Sequence, residues 1–148
     1  MIKYNIEDID FNLKQRRKLS AWINTVVLEE SHRTNMVNGL VLGDINFIFC
    51  SDEYLLKINK QFLNHDYYTD IITFDYSSDT LLSGDLFISV ERVLENSKIY
   101  KTVFQEELRR VMIHGILHLM GYKDSTNEES KKMREAENGA LSLFTSQF

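Results

Sequence analysis

The segment from Thr102 to Gly121 restricts the possible folds of this chain more than any other. It runs through LRRVMIHGILHLM and reads as the clearest helix in the sequence. Thr102 and Gln105 make a capping-box pattern at its start. Gly121 closes it, because glycine tolerates the left-handed conformation in which helices commonly stop. Whatever architecture the chain adopts must pack against this helix and let the backbone double back at Gly121.

His114 and His118 lie four residues apart on that helix. Side chains at this spacing share a face, with Cβ atoms about 5–6 Å apart, so both imidazoles can reach one ion. Zinc takes imidazole nitrogens at about 2.0–2.1 Å, which the spacing allows. Asp124 follows on the returning segment, where a carboxylate oxygen can act as a third ligand. Three protein ligands leave a fourth position for water, the pattern of a catalytic zinc site rather than a structural one. A bare pair of histidines could equally sit at the edge of a core. The glycine and the acid extend the pair to HxxxHxxGxxD, which matches the spacing of the metallopeptidase signature HExxHxxGxxH with an acid in the last place. The glutamate that serves as general base in that signature is Gly115 here, so a peptidase mechanism loses its main acid–base group. A glycine inside a helix costs about 1 kcal/mol relative to alanine. Gly115 therefore implies close approach by substrate or by another segment, the plainer reading being tight packing against a strand.

The rest of the chain mixes short strands with helices, without strict alternation. Ile2, Tyr4 and Ile6 mark a first strand, residues 13–30 a helix, and 43–50 a second strand. Ser51 is placed to cap a short helix that carries Asp52 and Glu53 in its first turn. Residues 71–76 and 84–90 read as strands joined by the polar turn at 77–79, and 90–99 as a helix. The last helix begins at Ser125 with Glu128, or at Thr126 with Glu129, and carries Met133, Ala136, Ala140, Leu141 and Phe144. No repeat or linker interrupts the chain, and proline is absent. The expectation is an α+β fold over residues 1–148, a single domain with a small mixed sheet packed on helices and the zinc site on a central helix before a glycine turn.

Composition narrows the function. Hydrophobic residues make up 43% and charged residues 26%, which suits a globular chain. A net charge of −5 argues against a protein that coats nucleic acid through a broad positive field, though not against a local groove. Cys50 is the single cysteine, so no internal disulfide can form and a reducing compartment fits; it reads as a buried apolar residue. With no long apolar run for a leader or a membrane span, the expected location is cytoplasmic, with no membrane partner.

Three stretches together resemble the YbeY metalloprotein family. His114 to Tyr122 looks like its HGxLHLxGY signature. Ile58-Asn59 with Thr69 to Phe74 resembles its LN…TDVLSF segment, and Ser83 to Ser89 resembles its LGDIxIS strand. The order and spacing agree, and the match spans most of the chain. The resemblance implies a cytoplasmic bacterial endoribonuclease that uses one zinc ion per chain and cuts single-stranded RNA. It further implies roles in maturing the 3′ end of 16S ribosomal RNA and in ribosome quality control, with ribosomal RNA and the small ribosomal subunit as partners. Two positions depart from the family. Lys123-Asp124 stands where an acid and the third ligand histidine are usual, which adds negative charge and implies a shifted pH optimum or a different preferred metal. Leu63 stands where many members have an arginine; Lys60 and His65 are its nearest substitutes, though a solvated surface role suits each.

No general acid or base is assigned from sequence. Among Asp66, Asp70, Asp75, Asp79 and Asp85, some are candidates to orient the zinc histidines, although aspartate is common in turns. Glu106 and Arg110 read as a surface pair, Arg109 as part of a solvated helix face, and His32 as a helix-end residue in water. Two alternatives to the ribonuclease are a zinc metallopeptidase and a non-catalytic, metal-binding ribosome-assembly factor.

Overall fold

A computed structural model describes residues 1–33 and 40–148. In chain order the elements are β1 (Ile2–Glu7), α1 (Arg16–Arg33), β2 (Val41–Cys50), α2 (Asp52–Leu63), β3 (Ile71–Asp75), β4 (Leu81–Ser89), α3 (Val90–Ile99), α4 (Phe104–Leu119) and α5 (Asn127–Gln147). The four strands form one sheet in the order β1-β2-β4-β3. β1 pairs parallel to β2 and β2 parallel to β4, while β3 runs antiparallel to β4. The sheet is mixed and the fold is α+β.

Alternation along the strands assigns the two faces. Ile45, Phe47 and Phe49 of β2, with Leu82, Leu86 and Ile88 of β4, enter the main core beside Trp22 and Ile23 of α1, Met112 and Ile116 of α4, and Phe144 of α5. Cys50 and Ile72 belong to a smaller cluster with Leu55 of α2, against which Phe74 and Phe87 pack. Helix α4 thus lies on one face and α2 on the other. None of the described helices is long and apolar enough to cross a membrane.

The caps explain several boundaries. Ser51 accepts from the Tyr54 amide and donates to Asp8, as expected of an N-cap, and Ser89 caps α3 in the same way through the Arg92 amide. Of the two candidate starts for the last helix, Thr126 is the one used. Its side chain accepts from the Glu129 amide and Glu129 accepts in return from the Thr126 amide. Two expectations are corrected. Helix α4 begins with Val103 as its cap and no side-chain cap bond, so Thr102 and Gln105 form no capping box; the Thr102 amide instead bonds to the carbonyl of Ser97, closing the turn after α3. Leu13 lies ahead of α1, which starts after Gln15 takes a positive φ of 61°, although Leu13 is buried in the main core all the same.

Two glycines let α4 sit close to the sheet. A Cβ on Gly115 would lie 2.3 Å from Leu86 Cδ2 and 2.8 Å from Ile71 Cδ1. Opposite, a Cβ on Gly84 would lie 2.6 Å from the Phe74 carbonyl oxygen and 3.0 Å from Leu119. Gly115 is therefore explained by packing against the strands, not by a substrate reaching the helix backbone.

Gly84→Ala is expected to lower stability by about 1–3 kcal/mol, because its methyl meets a backbone oxygen that cannot rotate away; a denaturant midpoint equal to wild type would contradict the close approach. A second test uses Cys50, fully buried, whose thiol is pushed up to about 12 by burial and by the charges of Asp52, Asp8 and Glu7. Native protein should resist iodoacetamide at pH 8 and react once unfolded in urea. Because the folded state keeps this proton to higher pH than the unfolded chain does, stability should fall as pH rises through about 9 towards about 12.

Candidate metal centre

Helix α4 ends in the arrangement that places the third candidate ligand. Gly121 takes a φ of 102°, its amide bonds to the His118 carbonyl at 3.0 Å, and the Tyr122 amide bonds to the Leu117 carbonyl at 3.0 Å. These paired bonds satisfy the last carbonyls of the helix and reverse the chain. The Thr126 capping box then fixes the start of α5, so a short segment held at both ends carries Asp124 back over the histidines. Ser130 also donates to the Asp124 carbonyl at 2.9 Å.

The structure brings all three sequence-predicted ligands together. The His114 and His118 rings are 4.5 Å apart and nearly perpendicular. Asp124 Oδ2 lies 3.5 Å from His114 Nε2 and 3.4 Å from His118 Nε2. Among the described residues, these three form the group whose ligand atoms all lie within 4.8 Å of one another.

Hydrogen bonds define which ring nitrogens face inward. His114 Nδ1 lies 2.6 Å from Glu137 Oε2, and His118 Nδ1 lies 2.9 Å from the Tyr122 carbonyl. A carboxylate and a carbonyl only accept, so Nδ1 carries the proton on each ring. In the neutral rings both Nε2 lone pairs then point toward the Asp124 carboxylate. With both rings neutral, three acceptors converge with no donor among them, an arrangement that a cation relieves, and the mix of imidazole and carboxylate suits a divalent metal of the zinc type.

Glu137 is the residue that sequence reasoning missed. It is buried, its Oε1 accepts from Arg110 Nη1 at 2.9 Å, and Arg110 Nη2 donates to Asn138 at 2.9 Å. Burial works against its charge, yet the bonds from His114 and Arg110 outweigh burial and hold its carboxyl below the usual range. Burial likewise works against protonation of His114, but the Glu137 hydrogen bond and the nearby carboxylates raise its pKa above the usual value. The signal was present in α5. Glu137 falls within the inward stripe of Met133, Ala136, Ala140, Leu141 and Phe144, a charged residue in a buried phase.

Other expectations change with the structure. Arg110 reaches α5 instead of pairing with Glu106, and Arg109 stacks over the Phe144 ring at 4.3 Å rather than lying in water. Asp66 pairs with Lys60 at 3.2 Å, Asp85 accepts from Asn46 at 2.9 Å, and Asp75 accepts from the Ser77 amide. Of the five aspartates, Asp70 is the one beside the histidines, where burial above all raises its pKa against the opposing influence of His114. A cleft of about 520 Å³ contains the three candidate ligands together with Asp70, Leu63 and Tyr67.

The fold and this donor set define an α+β protein with a two-histidine, one-carboxylate centre at a helix end. A family model described as Endoribonuclease YbeY matches residues 2–145. A Flavobacterium psychrophilum protein named Endoribonuclease YbeY is 46% identical over 144 residues, covering 97% of this chain and 96% of its own. One of the same name from Cytophaga hutchinsonii is 46% identical over 138 residues, covering 93% and 91%. A solution structure from Thermotoga maritima aligns with a TM-score of 0.60 at 27% identity, over 97% of this chain and 89% of that one. The chain belongs to the YbeY family.

Glu137→Gln should keep the fold by circular dichroism but lower zinc affinity by roughly tenfold or more, since partners of this kind typically contribute about 10–100-fold. Competition with a chelating dye reads the effect, and an unchanged affinity would contradict the assigned role of Glu137.

Proposed function

We propose that this protein is a zinc-dependent endoribonuclease that cuts single-stranded RNA, with His114, His118 and Asp124 holding one zinc ion. The observation that carries the reading is the convergence of two imidazole lone pairs and one carboxylate oxygen in an open cleft. Family membership supports the reaction class, because relatives across the family carry the endoribonuclease name. The fuller assignment is maturation of the 3′ end of 16S ribosomal RNA and ribosome quality control, in the cytoplasm, with ribosomal RNA and the small ribosomal subunit as partners.

The zinc ion, when bound, supplies a Lewis acid that activates water near neutral pH and takes up charge building on a phosphate oxygen. The chain's own residues prepare the site for it. Glu137 and the Tyr122 carbonyl hold the Nδ1 protons, so both rings present Nε2 to the cleft. Asp124 brings a negative charge that three imidazoles would lack, consistent with a less acidic water and a raised pH optimum. The peptidase alternative is weakened at Gly115. That position faces Leu86 and Ile71, so it offers neither a base nor room for one.

Metal analysis with cleavage of a single-stranded RNA tests the proposal on wild type and on His114→Ala. About one zinc per chain is expected, with cleavage falling at least ~100-fold in a variant that circular dichroism shows still folded. Bound zinc without cleavage by wild type would favour the assembly-factor reading, and absence of bound metal would overturn the centre itself.

A further inference from the structure

We propose that this cleft grips its RNA by stacking an unpaired base on the His65–Tyr67 ring pair, and not through side-chain contacts to phosphates; the inference rests on the ribonuclease reading. The two rings are stacked with centroids 5.1 Å apart and planes 21° from parallel, and Tyr67 Oη lies 2.9 Å from His65 Nδ1. Tyr67 is 56% exposed and His65 is exposed with it, so the pair lies where a ligand can reach it. Both residues line the cleft that contains His114, His118 and Asp124.

The loop that carries the pair is anchored. Asn59 is 1% exposed, and its Nδ2 donates to the Tyr67 carbonyl at 2.9 Å. The Asn59 carbonyl accepts from the His65 amide at 3.1 Å and from the amide of Asn64, which takes a left-handed φ of 55° to end α2. One buried residue therefore fixes both sides of the turn, its side chain holding the Tyr67 carbonyl and its own carbonyl the Asn64 and His65 amides, so the backbone that carries the rings is anchored before any strand arrives. Such preorganisation lowers the ordering cost of binding.

Charge argues for the same grip. Among the described residues lining this cleft, Asp70 and Asp124 are carboxylates and none is lysine or arginine. Leu63 occupies the place where the family resemblance led us to expect an arginine, and Lys60 is engaged with Asp66. A strand held here gains little from phosphate neutralisation by side chains. Base–aromatic stacking remains available, is indifferent to the sign of the field, and selects single strands because only unpaired bases expose a face.

The test is fluorescence-anisotropy binding of a short 2′-O-methyl oligoribonucleotide to the zinc-loaded protein, with strand integrity checked on a gel. Tyr67→Ala should weaken binding about tenfold and Tyr67→Phe less than about twofold, while an abasic strand should bind wild type as weakly as the full strand binds Tyr67→Ala. Affinity should change less than about threefold between about 50 and 200 mM salt, the slope of roughly one phosphate contact. Wild-type affinity in Tyr67→Ala, equal binding of the abasic strand, a steep salt dependence, or no binding by wild type would each overturn the proposal. Its failure is separable from failure of the nuclease reading. A wild type that cleaves RNA while Tyr67→Ala binds normally sinks only the platform; base-dependent binding without cleavage leaves the platform and sinks the nuclease.

Discussion

The close seating of α4 on the sheet is the contact on which the rest of the site depends. Gly115 and Gly84 remove the two methyl groups that would hold helix and strands apart, so Leu86, Ile71 and Leu119 fill the space between them. Successive residues on a helix project about 100° apart. With Gly115 aimed at the sheet, His114 and His118 emerge at the margin of the interface, partly buried and open to the cleft beside edge strand β3. A helix seated further out would carry the histidines away from Asp70 and the loop at 64–70. The glycine that removes a peptidase base is thus the residue that places the candidate metal centre.

Electrostatics then separates two roles for carboxylates that look alike in sequence. Asp124 is half exposed and points its oxygen at both Nε2 atoms. Glu137 is buried behind His114, stays charged because Arg110 and His114 compensate it, and turns the ring toward the opening. An uncompensated buried charge would be costly, which is why the second arginine-facing oxygen matters as much as the histidine-facing one.

Much of this was legible in the sequence because it rests on local rules. The helix ending at Gly121, the candidate ligand set His114, His118 and Asp124, the cap at Ser51, the choice between Ser125 and Thr126 as the start of the last helix, and the mixed sheet follow from periodicity, spacing and turn chemistry. What escaped depended on contacts distant in sequence. The Arg110–Glu137–His114 chain joins α4 to α5 across 23 residues or more, so Arg110 was naturally paired with its helical neighbour Glu106. Thr102 is no cap because α4 starts one residue later, behind Val103, and the Thr102 amide that Gln105 would have bonded closes the turn onto the Ser97 carbonyl instead. For Gly115 the reading of tight packing against a strand was available in the sequence, but which of two readings held, and which strands it meets, needed the fold.

The central claim is that one metal ion sits at the convergence of His114, His118 and Asp124. Zinc-edge anomalous diffraction from crystals of the zinc-loaded protein tests it most directly. A single peak is expected within about 2.0–2.2 Å of both Nε2 atoms and of an Asp124 carboxylate oxygen. A peak elsewhere on the protein, or bonded through Nδ1 of either histidine, would contradict the account.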